Sequence, residues 1–322
     1  MVEQSVIDLS VASQSTVLYK LLWQLPTGLV LDFLEHASDW ELRYRLAERL
    51  TSTRDLIRQP VALTPTLRHR SEHIAQASAE FVLRSNAALG ALVTQLERDE
   101  KSPLDIEWCG LDQLRRARAG GRPAVVFAPH IGFLYAVPLA LAALGVRSTV
   151  LGGGIAGAAV RGIFSAVAPR LLEQIRYLVV PRPGSARAAT QALARGDLLV
   201  IFPEVDQGSG GTVPSATATF LGRTIRLPTT AVRFARIAQA NVLPALVTPD
   251  GDRRVRIEFG EPTPPPADRH GDVPTSLRMF GWLERVVEER PHLWLGWPML
   301  DTDMKVPEPP RSTTDQTVDR YR

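Results

Sequence analysis

The chain has 322 residues, of which 45% are hydrophobic and 22% charged. This is enough apolar content for a large core and too little charge for intrinsic disorder. The net charge is +3, and all but three of the 37 basic residues (Lys20, Lys101 and Lys305) are arginine. So small an excess calls for no nucleic-acid partner and suits a weak attraction to anionic lipid or to a phosphate-bearing carrier. The single cysteine, Cys109, excludes a disulfide framework, a multi-cysteine zinc cluster and a thioredoxin pair.

The N-terminus lacks the basic start, apolar run and cleavage site of a secretory signal. The stretch Val17–Leu34 is apolar but interrupted by Lys20, Gln24, Pro26 and Asp32, so it falls short of a membrane span. Its spacing gives two short helical pieces, either buried as a hairpin or lying on a membrane surface with Tyr19 and Trp23 at the interface. From Asp39 to Leu96, apolar residues recur at three and four (Leu42, Leu46, Leu50; Ile74, Ala77, Phe81), with a helix start at Ser71. Residues 1–100 therefore read as a helical N-terminal region, 101–304 as an α/β body and 305–322 as a flexible tail.

After residue 100 the pattern becomes one of strands alternating with helices. Ala124–Ala128 is a short apolar run between prolines, a buried strand. A helix over Phe133–Leu144 follows, then a strand at Ser148–Leu151, a helix around Ala158–Ile175 and a strand at Tyr177–Val180. Ser185 caps a helix that runs through Ala194 and stops at Gly196. Strands at Leu198–Phe202, Asn241–Val247 and Arg253–Phe259 and helices at Thr229–Ala240 and Asp272–Arg290 complete the series. The expected fold class is α/β: a helical N-terminal region plus a mixed, mostly parallel sheet flanked by helices.

Reactive groups in such sheets gather beyond the carboxyl ends of strands. His130 stands there, directly after a strand, as a candidate general base or as a loop histidine bonded to a carbonyl. Glu204 and Asp206 follow another strand end. A carboxylate on the far nitrogen of a catalytic imidazole would fix its tautomer, whereas ordinary loop acids would be solvated. The loop from Gly208 through Gly210 to Thr212 could offer backbone N–H groups to a phosphate or oxyanion, or be a plain surface loop; it matches neither a Walker motif nor the dinucleotide fingerprint. No Gly-x-Ser-x-Gly elbow is present. His69 and His73 lack the zinc-protease order and read as surface residues.

Four ordered blocks carry a resemblance: Ala124–Gly132, with its histidine; Ala194–Gln207, with its Pro-Glu; Thr219–Arg223 with Leu227–Ala231 and Val242–Pro244; and Pro291–Trp297. Together they span residues 120–300. They resemble the lipid A biosynthesis (lauroyl/myristoyl) acyltransferase family of the lysophospholipid acyltransferase superfamily, a branch that includes the phosphatidylinositol mannoside acyltransferases. The resemblance implies transfer of an acyl group from an acyl carrier protein or coenzyme A thioester to a hydroxyl or amine acceptor, on a lipid or a natural product. It implies no metal or other cofactor, a cytoplasmic location and possible peripheral contact with the inner face of the plasma membrane. By position, His130 would be the base and Glu204 its supporting acid, with Asp206 behind. Gly208, Gly210 and Arg223 would lie near acceptor or phosphopantetheine, and Phe133 in the acyl groove.

One position departs from the family pattern. Its motif places an acid five positions after the histidine, and here that position is Tyr135. The imidazole must find its carboxylate elsewhere, with Glu204 the obvious substitute. The departure also permits a catalytically silent acyl-binding homologue, while a thioesterase would differ from the transferase in its acceptor.

Overall fold

The computed structural model describes residues 25–29, 31–32, 35–36, 47–153, 164–165, 167–180, 182–205, 216–251 and 253–306. Two helices lead, α1 (Ala47–Ala62) and α2 (Ser71–Arg98). There follow β1 (Asp105–Cys109), α3 (Leu111–Ala117), β2 (Ala124–Phe127), α4 (Ala136–Ala143), β3 (Ser148–Gly153), α5 (Pro169–Leu172), β4 (Ile175–Val180), α6 (Ser185–Ala194) and β5 (Leu198–Ile201). A hairpin of β6 (Ala216–Phe220) and β7 (Arg223–Leu227) precedes α7 (Thr230–Ala238), β8 (Asn241–Pro249), β9 (Arg254–Phe259) and α8 (Asp272–Glu289). Short 3-10 turns at Pro291–Leu293 and Trp297–Asp301 end the described chain.

Seven strands form one sheet in the order β1-β9-β8-β2-β5-β3-β4. All neighbours are parallel except β8 and β9, which are antiparallel. The expected α/β class, with a mixed and mostly parallel sheet, is the fold observed. The central strands are apolar on both faces because helices cover both. Along β2, Ala124 and Val126 enter one core layer with α3, α4 and the C-terminal half of α2. Val125 and Phe127 enter the other, with α1, α6, α7, α8 and the hairpin. Helix α2 contributes to both layers, Ile74 and Ala75 to one and Ala91 and Leu92 to the other, so the helical front section and the sheet share a core.

Several expectations shift in detail. The first helix after β2 begins at Ala136, not Phe133; the residues just before Phe133 are held in extended bridges, Ile131 to Trp294 and Gly132 to Val247. The predicted helix around Ala158–Ile175 overruns, since Ile175 is already the first residue of β4; part of its range, 158–163 and 166, lies outside the described residues. Ser185 is the first residue of α6 and donates no cap; Gly184 precedes it in a left-handed conformation. Strand β1 and the β6–β7 hairpin were not expected. Strand β1 is an edge strand that alternates acids with apolar residues, and its Asp105 and Glu107 pair with Arg254 and Arg256 of β9.

The early apolar stretch is described only in part. Leu31 is buried in the core and Thr27 bonds to Glu100, whereas Leu25 and Leu29 are exposed. Asp32 and Glu35 bind Arg253. Among the described residues, no helix is long and apolar enough to cross a membrane. The 305–322 segment lies outside them from 307 onward.

Helices α7 and α8 are tied by a two-pronged pair. Arg236 donates Nε to Asp272 Oδ1 at 2.8 Å and its terminal nitrogen to Oδ2 at 3.1 Å. Both side chains are largely buried, so removing one partner strands a charge. Asp272→Ala is expected to lower unfolding stability by roughly 1–3 kcal/mol, measured by urea titration; a loss below the fitting error would refute this role.

Candidate functional site

His130 and Glu204 meet because of strand register. In the parallel pair β2–β5, Phe127 lies opposite Ile201. Each strand then runs on for three residues with proline in the middle, Ala128-Pro129-His130 and Phe202-Pro203-Glu204. The two side chains therefore leave the sheet at the same height. The Ala128 N–H still bonds to the Ile201 carbonyl at 3.0 Å, extending the ladder by one step.

Glu204 is fully buried, and both of its oxygens have partners. Its Oε1 accepts the His130 backbone N–H at 2.8 Å and the Trp294 indole N–H at 2.9 Å. Its Oε2 lies 3.0 Å from His130 Nδ1. A backbone amide and an indole are obligate donors, and an ionised carboxylate only accepts. With Glu204 ionised and the ring neutral, Nδ1 carries the proton and Nε2 the lone pair. Nε2 has no hydrogen-bond partner among the described residues, and the imidazole is slightly exposed, at 13% of its side-chain area. The arrangement is that of a base whose tautomer is set from behind.

The turn that carries the histidine is clamped from two sides. The Leu295 N–H binds the His130 carbonyl at 2.6 Å, and the Gly132 N–H binds the Leu293 carbonyl at 2.9 Å. On the other side Phe133 bonds to Val247 of β8. Gly132 has φ +60°, and a Cβ there would sit 2.4 Å from the Val247 carbonyl oxygen. Glycine is thus required both by backbone conformation and by the close approach of β8.

The remaining candidates are distributed unevenly. Tyr135 stands at the entrance of α4 with its ring 6.1 Å from Phe202, which in turn lies 5.3 Å from the imidazole. It therefore occupies the wall of the site. Phe133 is buried in the core with its ring 6.0 Å from Phe81 of α2. Arg223 begins β7 at the hairpin tip, and its ion pair is with Asp301 on the last 3-10 turn. Asp206, Gly208 and Gly210 lie outside the described residues. Cys109 sits on β1, where burial and the neighbouring Glu107 push its thiol pKa up, so it is a poor nucleophile. Among the described residues, no group of three His, Cys, Asp or Glu side chains could hold a metal ion.

Two functional residues carried no assignment in the sequence reading. Trp294 belongs to the Pro291–Trp297 block, and a buried indole N–H must find an acceptor, but nothing in the sequence says which. Gly132 lies in the histidine block, and its need for φ > 0 becomes visible only once β8 is in place. No protein-family model matches the chain, and no curated protein matches it.

Trp294→Phe keeps the ring packing against Phe220 and Trp297 and deletes one donor to a buried carboxylate. The expected cost is about 1–3 kcal/mol, with the His130 ring signal in NMR shifted; an unchanged signal and unchanged stability would contradict the role given to the indole. Gly132→Ala is expected to displace the histidine turn, seen as a loss of the ordered His130 environment in the same spectra.

Proposed function

We propose that the chain is an acyltransferase that moves an acyl group from a thioester, on a carrier protein or coenzyme A, to a hydroxyl or amine acceptor. The observation that carries this reading is the buried Glu204 on His130 Nδ1, which leaves Nε2 as an available base. The ordered sequence blocks that resemble the lipid A acyltransferase family supply the reaction class.

In this mechanism Nε2 takes the proton of the acceptor as its oxygen or nitrogen attacks the thioester carbonyl carbon. The tetrahedral intermediate collapses with cleavage of the C–S bond. The imidazolium returns its proton to the departing sulfur, and no net proton is consumed. Glu204 stabilises the imidazolium while it lasts and remains ionised throughout. In this reading Glu204, three residues past β5, takes the place of the acid missing at Tyr135. The acceptor, the acyl chain and any peripheral membrane contact are parts of the same proposal.

Purified chain is to be incubated with a panel of acyl thioesters and hydroxyl or amine acceptors, with products read by intact mass. His130→Ala is expected to abolish transfer with the fold retained. Glu204→Gln is expected to reduce the rate by about 10⁴, the scale seen when a triad carboxylate becomes an amide. Transfer by His130→Ala at the parent rate would overturn the proposal. Free acid formed equally with and without acceptor would replace it with hydrolysis.

A further inference from the structure

Trp294 donates to Glu204 from the closing segment of the chain, and what aims its indole is a residue without a side chain. The backbone on either side of the tryptophan is pinned. Trp294 forms an antiparallel bridge with Ile131, and Leu293 and Leu295 bond to Gly132 and His130. The ring then folds back over its own chain, against the buried Gly296. A Cβ built on Gly296 would lie 2.5 Å from both Nε1 and Cε2 of the indole and 2.7 Å from Cζ2. Gly296 has φ −79° and ψ 0°, a turn conformation that other residues also adopt. Glycine is therefore there for room, not for backbone freedom.

Other sides of the ring are closed by aromatic neighbours. Trp297 meets it at a steep angle with centroids 4.7 Å apart, and Phe220 of the hairpin does the same at 5.6 Å. Trp297 is itself anchored, its indole N–H donating to the Pro291 carbonyl at 3.0 Å. Both tryptophans are fully buried. With its backbone pinned and its faces packed, the Trp294 indole is held with its N–H on Glu204 Oε1 at 2.9 Å.

We infer that Gly296 is a positioning residue for the His130–Glu204 pair: its missing side chain is the slot that lets the indole reach the carboxylate. A Cβ at 2.5 Å forces about 1 Å of movement before ordinary carbon contact is restored. If the ring yields, Nε1 moves relative to Glu204 by more than the spread of good N–H···O lengths. If the turn yields, the Leu295 N–H is carried off the His130 carbonyl, to which it bonds at 2.6 Å. Both routes end on the histidine. The inference rests on the acyl-transfer reading for its effect on turnover, and on geometry alone for its effect on the pair.

The full chain and its Gly296→Ala variant are compared by NMR. In the parent, the Gly296 Hα signals are expected to be displaced by the indole ring current and to show cross-relaxation with the Trp294 Nε1–H. In Gly296→Ala, the Trp294 Nε1–H and the His130 ring nitrogens are expected to shift. Gly281→Ala is the control: it lies on α8, where a Cβ meets nothing within 4 Å, and is expected to leave both signals in place. In the transfer assay kcat of Gly296→Ala is expected to fall by about ten- to a hundredfold, with KM within about twofold of the parent. Unchanged indole and His130 signals in folded Gly296→Ala overturn the inference, and so does a raised KM with kcat kept, which would move the residue to substrate binding. A parent spectrum in which Gly296 shows neither ring-current shift nor cross-relaxation also overturns it, even where Gly296→Ala fails to fold. Absence of transfer by the parent chain would remove the acyl-transfer reading and leave the spectroscopic result standing.

Discussion

The arrangement depends on one constraint, the in-register pairing of two adjacent parallel strands. Phe127 opposite Ile201 brings residues 74 apart in the chain to one height, and equal three-residue extensions with central prolines preserve it. Proline has no N–H to donate and restrains the residue before it to extended backbone. Both prolines therefore end the ladder at a fixed place and let His130 and Glu204 turn toward each other. A slip of one residue would send one of the two side chains to the opposite face. The apolar layers on both sides of the sheet prevent that slip, because Val125 and Phe127 would trade places with Ala124 and Val126.

The buried carboxylate is tolerable for the same reason that it is useful. An unpaired ionised group with no solvent contact would be prohibitively costly. Glu204 instead has three donors, two on one oxygen and one on the other. Two of them are fixed by backbone and by the Trp294 indole. The third is the imidazole, so the carboxylate's remaining hydrogen-bonding capacity is directed at the ring.

Much of this was legible in the sequence, in proportion to how local the cause is. Ala124–Phe127 and Leu198–Ile201 are short apolar runs that both faces of a covered sheet require, and the residues just after them marked the site. Helix α8 matched its predicted range to within one residue because its apolar spacing and its boundaries agree. Strand β1 was missed because its acids are satisfied by arginines of β9, some 150 residues away. The β6–β7 hairpin was read as a motif block because its turn, Leu221-Gly222, puts a non-glycine residue at φ +52°, which propensity disfavours. Trp294 and Gly132 acquire meaning only through partners on β5 and β8, at a distance that no local pattern reaches.

The clamp formed by Leu293, Trp294 and Leu295 has a consequence in time. During synthesis the histidine turn emerges long before the segment that holds it, and β5 brings the glutamate part-way between. Until residues 293–295 arrive, the turn has no partner for the His130 carbonyl, and the glutamate lacks its indole donor. An interrupted or clipped chain would carry the reactive pair in sequence yet fail to fix it in space. Arrival of residues 293–295 thus acts as the last step in fixing the histidine–glutamate pair.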